Sequence, residues 1–308
     1  MNVKTGFFCV DKPEGMTSHD VVSRMRRILN MKKVGHSGTL DPMATGVLIV
    51  GCGPSTRLLD YVQAGVKEYV ADIRFGFKTS SGDAQGETVD ECDMTDLTLE
   101  KLQIAVEKFV GTILQIPPMV SAIKIDGKKL YEYEREGIVV ERKPRETTIE
   151  SIEIMSFEES QNGESPQAKV RVVCHAGTYI RTLAEDIADS LGGYAYLTSL
   201  RRTKNGTVDQ SQCVSLDQLS SLDDPFEQVI EPANALSHFP SVILEDNQTL
   251  AVSHGKELVL YHSQEQSFEA SKSDNFVVSG ERPRKLIAVF PNDDVKPRKS
   301  RCVVFLDD

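Results

Sequence analysis

The sequence is poor in the features that mark metal, redox and membrane proteins. Its six cysteines (Cys9, Cys52, Cys92, Cys174, Cys213 and Cys302) form no CxxC pair, and none has a histidine at metal-ligand spacing. Their wide scatter leads to the expectation of reduced, buried thiols rather than a disulfide framework. No metal and no cofactor is expected. The N-terminal apolar run, Gly6-Phe7-Phe8-Cys9-Val10, is too short for a secretion signal and is followed at once by Asp11-Lys12. No apolar stretch approaches the roughly 20 residues a membrane helix needs. The expectation is therefore a cytoplasmic chain with no membrane partner. Neither phosphate-binding pattern, G-x-x-x-x-G-K-[ST] or G-x-G-x-x-G after a strand, is present, so a nucleotide P-loop is not expected. Residues 207–239 contain no Lys or Arg at all.

What is present is an ordinary globular composition: 308 residues, 40% apolar and 26% charged. That length sets a prior of about two domains of roughly 150 residues each. The net charge of −11, taken whole, argues against a nucleic-acid partner, because phosphate recognition wants local positive charge. The sum hides a gradient. Residues 1–78 carry a net +4, residues 79–120 a net −6 and residues 207–308 a net −8. The acidity sits in particular segments, and the first stretch is mildly basic, which is compatible with a polyanion meeting one face. On that reading the acidic segments face away from the basic one.

Pattern along the chain gives a strand over 6–10, a turn at Asp11–Gly15, and a helix over 19–30 for which Ser18 can serve as cap. Its apolar stripe is Val21, Val22, Met25, Ile28 and Leu29. A Gly-rich loop spans 35–46 and leads into a strand at Val47–Val50. A helix near 55–63, a strand near 68–75, a long polar loop over 78–96 and a helix from Thr98 to about 109 follow. Asp126-Gly127 is a hairpin turn signal after a strand over 120–125. Further strands are expected near 146–157 and 168–174, a helix over 178–191, and a strand pair in 194–209. The acidic, Pro-punctuated segment 223–240 separates a larger domain (1–235) from a small β-rich module (240–308) with basic clusters at 282–285 and 296–301. Hairpins mixed with helices give an α+β class, with a mostly antiparallel sheet and flanking helices.

Three local features can carry chemistry. Asp41 stands between flexible glycines and the rigid Pro42; it is either an ordinary turn residue or a carboxylate presented at a cleft as a nucleophile. Arg181 falls in the first turn of a helix, where the macrodipole disfavours a cation, so a carboxylate partner is the natural expectation. Tyr69 sits on a strand, where it either packs or lines a pocket and stacks on a base.

The blocks Val10-Asp11-Lys12-Pro13, Gly15–Ser18 and Lys33-Val34-Gly35-His36-Ser37-Gly38-Thr39-Leu40-Asp41-Pro42-Met43-Ala44-Thr45-Gly46 resemble the signature of the TruB family of tRNA pseudouridine synthases. So do Lys67-x-Tyr69, Gln115–Lys124, Gly127–Tyr133, Gly177–Thr182 and Leu200-Arg201-Arg202. They follow in order across residues 6–205. Two departures are visible: Ser37 stands where the family often has Thr, and Ser80 where many members have an acidic residue, while Asp83 remains.

The resemblance implies a pseudouridine synthase-like catalytic domain followed by a PUA-like module, and isomerisation of a uridine in the tRNA T loop (position 55 of tRNA). Asp41 would be the nucleophile, Arg181 its ion-pair partner, and Tyr69 the ring that stacks on the uracil. His36, Tyr179 and Leu200 would line the uridine site, with Lys12 nearby. Uridine would have to be extruded from the loop, at a cost of a few kcal/mol. Arg201, Arg202, Lys128, Lys129, Arg284 and Lys285 are candidates for RNA contact, together with Arg24, Arg26 and Arg27. The implied partner is the tRNA T arm, met by a monomer with no obligatory protein partner. Two other classes share these residues: a tRNA-folding chaperone without catalysis, and a two-carboxylate glycoside hydrolase with Asp83 as the acid.

Overall fold

A computed structural model describes residues 4–63, 65–121, 123–161, 164–261, 264, 275–281, 285–292 and 299–306. The chain divides into two compact units. The first draws on residues 1–42, 46–65 and 205–308, the second on 43–45 and 66–204.

In the first unit, β1 (Gly6–Lys12) pairs antiparallel with β3 (Thr45–Cys52), running from Gly6 opposite Cys52 to Lys12 opposite Gly46. Strand β2 (Val34–Ser37) takes the other edge of β3. Every residue of β3 after Thr45 is buried. Its continuous apolar run, rather than an alternating one, is the mark of a strand covered on both faces. Helix α1 (Ser18–Ile28) buries Val21, Val22 and Met25 as the stripe predicts. Its cap is Thr17, not Ser18: Thr17 and Asp20 form a reciprocal capping box. Ser18 is instead buried and bonds the backbone of Leu40.

The second unit is built on β4 (Lys67–Phe75), α2 (Leu99–Glu107), β5 (Gly111–Gln115), β6 (Arg145–Glu158), β7 (Gln167–Cys174), α3 (Ile180–Ser190) and β8 (Ala195–Asn205). Its strands follow the order β8-β4-β7-β6-β5. The pairs β4/β7, β7/β6 and β6/β5 are antiparallel. Burial alternates strictly along β4 and β7, so one face of this sheet is covered and the other is not. The expected polar loop 78–96 contains a short hairpin, Phe77–Thr79 against Thr88–Glu91. The expected strand 120–125 shortens to Lys124–Ile125, paired with Lys128–Lys129 across Asp126-Gly127. Both turn residues have positive φ, 51° and 83°, as a type I′ turn requires.

The first unit closes with β9 (Ser241–Ile243), α4 (Asp246–Ser253), β10 (Asn275–Gly280), β11 (Leu286–Pro291) and β12 (Cys302–Phe305), the four strands lying side by side in that order. The β9/β10 pair is parallel and the others are antiparallel. Alternation splits this sheet into two faces. Val277, Ile287, Val289 and Val304 pack with Phe7, Val47, Ile49 and Leu58. Phe276, Val278, Ala288 and Phe290 pack with Val242, Leu244 and Val252. The strand expected near 257–261 shortens to a single bridge at Leu258; Leu258 and Leu260 are buried.

Two expectations are corrected inside the first unit. Cys9 and Cys213 are joined as a disulfide, with Cα atoms 4.6 Å apart; no local spacing could reveal a pair separated by 204 residues. The acidic segment 207–239 also does not simply face away from the basic helix. It packs on β1 through Ile230 and Val214, and its Asp217 pairs with Arg24 of α1, so one cation of the expected basic strip is already neutralised.

Candidate active site

The Asp41 loop is held from the strand that precedes it in sequence. Lys12, the last residue of β1, is completely buried. Its ammonium group donates to the carbonyls of Pro13 (2.9 Å), Met16 (2.6 Å) and Pro42 (3.1 Å). The Gly15 N–H donates to the same Pro42 carbonyl at 2.8 Å. On the other side of Asp41, the Leu40 N–H donates to the Ser18 hydroxyl at 2.8 Å, and that hydroxyl donates to the Leu40 carbonyl at 3.1 Å. Both neighbours of Asp41 are therefore pinned, while Asp41 itself remains partly exposed. Gly38 and Gly46, at φ 78° and 97°, supply the left-handed backbone that lets a strand turn sharply at each end of the loop. His36 lies on β2, directly before this loop.

Arg181 is the centre of the second unit's polar cluster. It sits in the first turn of α3, as the sequence indicates, and is 3% exposed. Its guanidinium donates to the carbonyls of Ser81 (2.7 Å) and Val120 (2.8 Å). Its Nε lies 3.9 Å from Oδ2 of Asp83, itself 4% exposed. The carboxylate partner expected for Arg181 is thus present, and within this unit it is Asp83. The same carboxylate accepts the Ser81 hydroxyl (2.6 Å) and the Gln85 N–H (3.0 Å). Both of these hydrogen bonds end on Oδ1, and Oδ2 faces Arg181. Loop 79–86 is docked on β8 as well: Ala84 N–H donates to the Leu197 carbonyl and Leu197 N–H to the Gly82 carbonyl.

The start of α3 carries a second device. The Gln115 side chain accepts the Tyr179 N–H at 3.0 Å and donates to the Tyr179 carbonyl at 3.2 Å. Gln115, at 2% exposed, takes the place of the side-chain cap that Tyr179 cannot provide. Sequence reading did not assign a role to Gln115 or pair Asp83 with Arg181. The only hint of the latter was a cation at a helix N-terminus without a local anion.

Tyr69 is 7% exposed on β4 opposite Val172, and Leu200 is 6% exposed on β8. Lys67, two residues before Tyr69, is also buried; burial, reinforced by the nearby Arg202, pushes its ammonium pKa down to about 8. Beside it, burial pushes the Cys174 thiol up to about 11.

The proposed RNA-contact residues separate. Arg202 is 1% exposed, so it is a core residue and not part of a phosphate-binding surface. Arg201 bonds the Thr45 hydroxyl at 3.3 Å. Arg26 turns inward to the Val34 carbonyl. Lys128 pairs with Glu136 and lies over the Tyr133 ring, and Lys129 lies over the Tyr131 ring. Lys285 is half-buried, and Arg284 lies outside the described residues.

Residues 26–180 match the family model described as the TruB family pseudouridylate synthase N-terminal domain, and residues 181–236 the one described as the tRNA pseudouridylate synthase B C-terminal domain. A protein named tRNA pseudouridine synthase B from Neisseria gonorrhoeae (strain NCCP11945) is 42% identical over 243 residues, spanning 78% of this chain and 77% of its own. A protein of the same name from Azoarcus sp. (strain BH72) is 40% identical over 291 residues, 92% of this chain and 95% of its own. Among solved structures, a crystal structure of a Cbf5–Nop10–Gar1 complex matches with a TM-score of 0.72 at 25% identity, covering all of this chain and 85% of that one. With identity above 40% spread over three-quarters of the chain, with Asp41 inside the first family match and Arg181 at the start of the second, this chain belongs to the TruB family of pseudouridylate synthases.

Proposed function

We propose that the protein isomerises uridine to pseudouridine in the T loop of tRNA (position 55), with Asp41 as the nucleophile. The observation that carries this reading is the Asp41 loop. A partly exposed carboxylate is flanked on both sides by backbone that buried Lys12 and Ser18 hold in place, which is the preorganisation a nucleophile needs.

A free aspartate, with a pKa near 3.9, is already ionised at neutral pH and needs no general base to activate it. It attacks the ribose or the uracil ring, and the N-glycosidic bond breaks. The base rotates, and a carbon–carbon bond forms in place of the carbon–nitrogen bond. The ring carbon gives up one proton and the ring nitrogen gains one, so substrate and product are isomers. Arg181 would pair with Asp41 during this sequence, and Tyr69 would stack on the extruded uracil. His36, Tyr179 and Leu200 complete the uridine site, with Lys12 as the anchor of the nucleophile loop. The substrate is recognised through its shape and backbone, with loop bases splayed out. Lys128, Lys129, Arg201 and Lys285 are the candidate contacts that remain available to it. Residues 1–235 form the catalytic domain and residues 240–308 a PUA-like RNA-binding module. The protein works as a cytoplasmic monomer.

The test is incubation with an unmodified tRNA transcript followed by a pseudouridine map. The expected result is a single pseudouridine in the T loop. Unchanged uridine, or release of free uracil, contradicts the reading.

A further inference from the structure

Lys12 and Ser18 fix the residues on either side of Asp41, but the chain enters this loop earlier, at Ser37, the last residue of β2. Ser37 is completely buried. Gly38 follows it at φ 78°, so the backbone turns sharply at that point. Against Ser37, within the same unit, lies Asn205, the last residue of β8 and also completely buried. Its amide nitrogen donates to the Ser37 carbonyl at 3.4 Å. Asn205 has a firm seat. Gly206 follows it at φ 61° and packs so closely on Gly65 that a Cβ at Gly65 would come 2.6 Å from the Gly206 Cα.

The contact between the two residues is half made. The Ser37 hydroxyl and Oδ1 of Asn205 are both buried, and neither has a hydrogen-bond partner among the described residues. A hydroxyl can donate and an amide oxygen can accept, so the two atoms are complementary. The Ser37 carbonyl can only accept, which sets the amide with Nδ2 towards it and leaves Oδ1 as the open acceptor. The 3.4 Å bond is itself longer than the usual range of roughly 2.7–3.2 Å. A buried donor and a buried acceptor left unpaired both raise the energy of this arrangement. A small shift of the loop entry that joins them lowers it.

We propose that Ser37 and Asn205 are positioning residues of the isomerisation. In the reacting complex the Ser37 hydroxyl donates to Asn205 Oδ1, and the amide then grips the loop entry by two hydrogen bonds instead of one. The inference rests on the pseudouridine-forming reading of the protein. Neither residue touches the uridine. They act through the backbone: His36 of the uridine site directly precedes Ser37, and Gly38, Thr39 and Leu40 lead from it to Asp41. Drawing Ser37 onto Asn205 sets both His36 and the start of the nucleophile loop from buried, rigid structure.

The experiment uses the full-length protein and an unmodified tRNA transcript. Single-turnover rates at saturating enzyme, dissociation constants and Tm are measured for wild type, Ser37→Ala, Asn205→Ala and the double variant. In the free protein Ser37→Ala removes only an unpaired hydroxyl, so its Tm should equal or exceed that of wild type. Its rate should nevertheless fall about 10-fold, which is what one hydrogen bond made only in the reacting complex is worth. Its affinity for the transcript should stay within about twofold of wild type. Asn205→Ala should be slowed at least as much, and the double variant should be no slower than Asn205→Ala alone. If Asn205→Ala does not fold, Ser37→Ala carries the test through its rate and its Tm. A Ser37→Ala rate equal to wild type, with or without a lower Tm, overturns the proposal, and so do single losses that multiply in the double variant. If wild type forms pseudouridine while either is seen, only the positioning pair falls. If wild type forms none, the pair falls together with the reading it rests on.

Discussion

Arg181 and Asp83 face each other inside the second unit, Nε to Oδ2 at 3.9 Å, with side chains 3% and 5% exposed. The cation belongs to a helix and the anion to a loop nearly 100 residues earlier. Two carbonyls, of Ser81 and Val120, accept from its terminal nitrogens. Removing the charge from such a buried pair is costly, because its partner cannot recover hydration. Asp83→Asn keeps the shape of the side chain but leaves Arg181 without that anion. The variant should lose about 100-fold in kcat, the scale of a misplaced catalytic group, with KM changed only a few-fold. Arg181→Lys should be as damaging, since one ammonium cannot replace a planar fork that spans three acceptors. Steady-state kinetics on a tRNA transcript decides both; an effect confined to KM contradicts the assignment.

Gly82, the residue before Asp83, has φ 73°, and a Cβ there would come 3.0 Å from Oε1 of Glu185 and 3.4 Å from the Arg181 Cβ. Gly82→Ala places an L side chain in left-handed backbone, at a cost of about 1–2 kcal/mol. Thermal unfolding should show that loss, and kcat should fall with it because the shifted loop carries Asp83. An unchanged Tm and kcat would mean that loop 79–86 does not position Arg181.

Lys12 offers a stability test. Its ammonium satisfies three carbonyls while fully buried. Lys12→Met removes all three donors; the Pro42 carbonyl keeps the Gly15 N–H and Pro13 is exposed, so at about 1–3 kcal/mol for a buried group left unpaired the loss in urea unfolding should be roughly 1–3 kcal/mol. Activity should fall further than stability, since the Pro42 carbonyl neighbours Asp41. A Lys12→Met protein with wild-type stability would show that these carbonyls find other partners.

How much of this was legible in the sequence follows from range. The helix stripe of α1, the Asp126-Gly127 turn and the strands β4, β7 and β10 are set by neighbours, and their patterns predict them. The cap of α1 went to Thr17 rather than Ser18 because the distant Leu40 backbone claims the Ser18 hydroxyl. Strand β5 was missed because it has five residues and its outward side chain Leu114 is apolar and 65% exposed, which blurs the alternation. Arg202 reads as a surface cation beside Arg201, yet strand alternation turns it into the core. Lys12, Asp41, Tyr69 and Arg181 were found through ordered motif blocks. What held them in place, Asp83, Gln115 and the three carbonyls around Lys12, depends on contacts that no spacing encodes.

Lys67 gives a pH signature. Its ammonium pKa is about 8 in the folded protein against 10.5 for the free group. Between those values the unfolded chain binds more protons than the folded one, so stability rises with pH through this window. Burying the charge costs on the order of 3 kcal/mol below pH 8, at 1.36 kcal/mol per pKa unit, and that cost fades as pH rises towards 10.5. In urea unfolding between pH 7 and 10, wild type should gain stability relative to Lys67→Met. Parallel curves for the two proteins would contradict the assignment.

The most direct test of the central claim is Asp41→Asn, assayed on an unmodified tRNA transcript for both binding and pseudouridine formation. The carboxamide keeps the size of the side chain and removes the nucleophile. The account predicts binding within a few-fold of wild type and no detectable pseudouridine at the T-loop uridine. Pseudouridine formation by Asp41→Asn at a rate near wild type would contradict it.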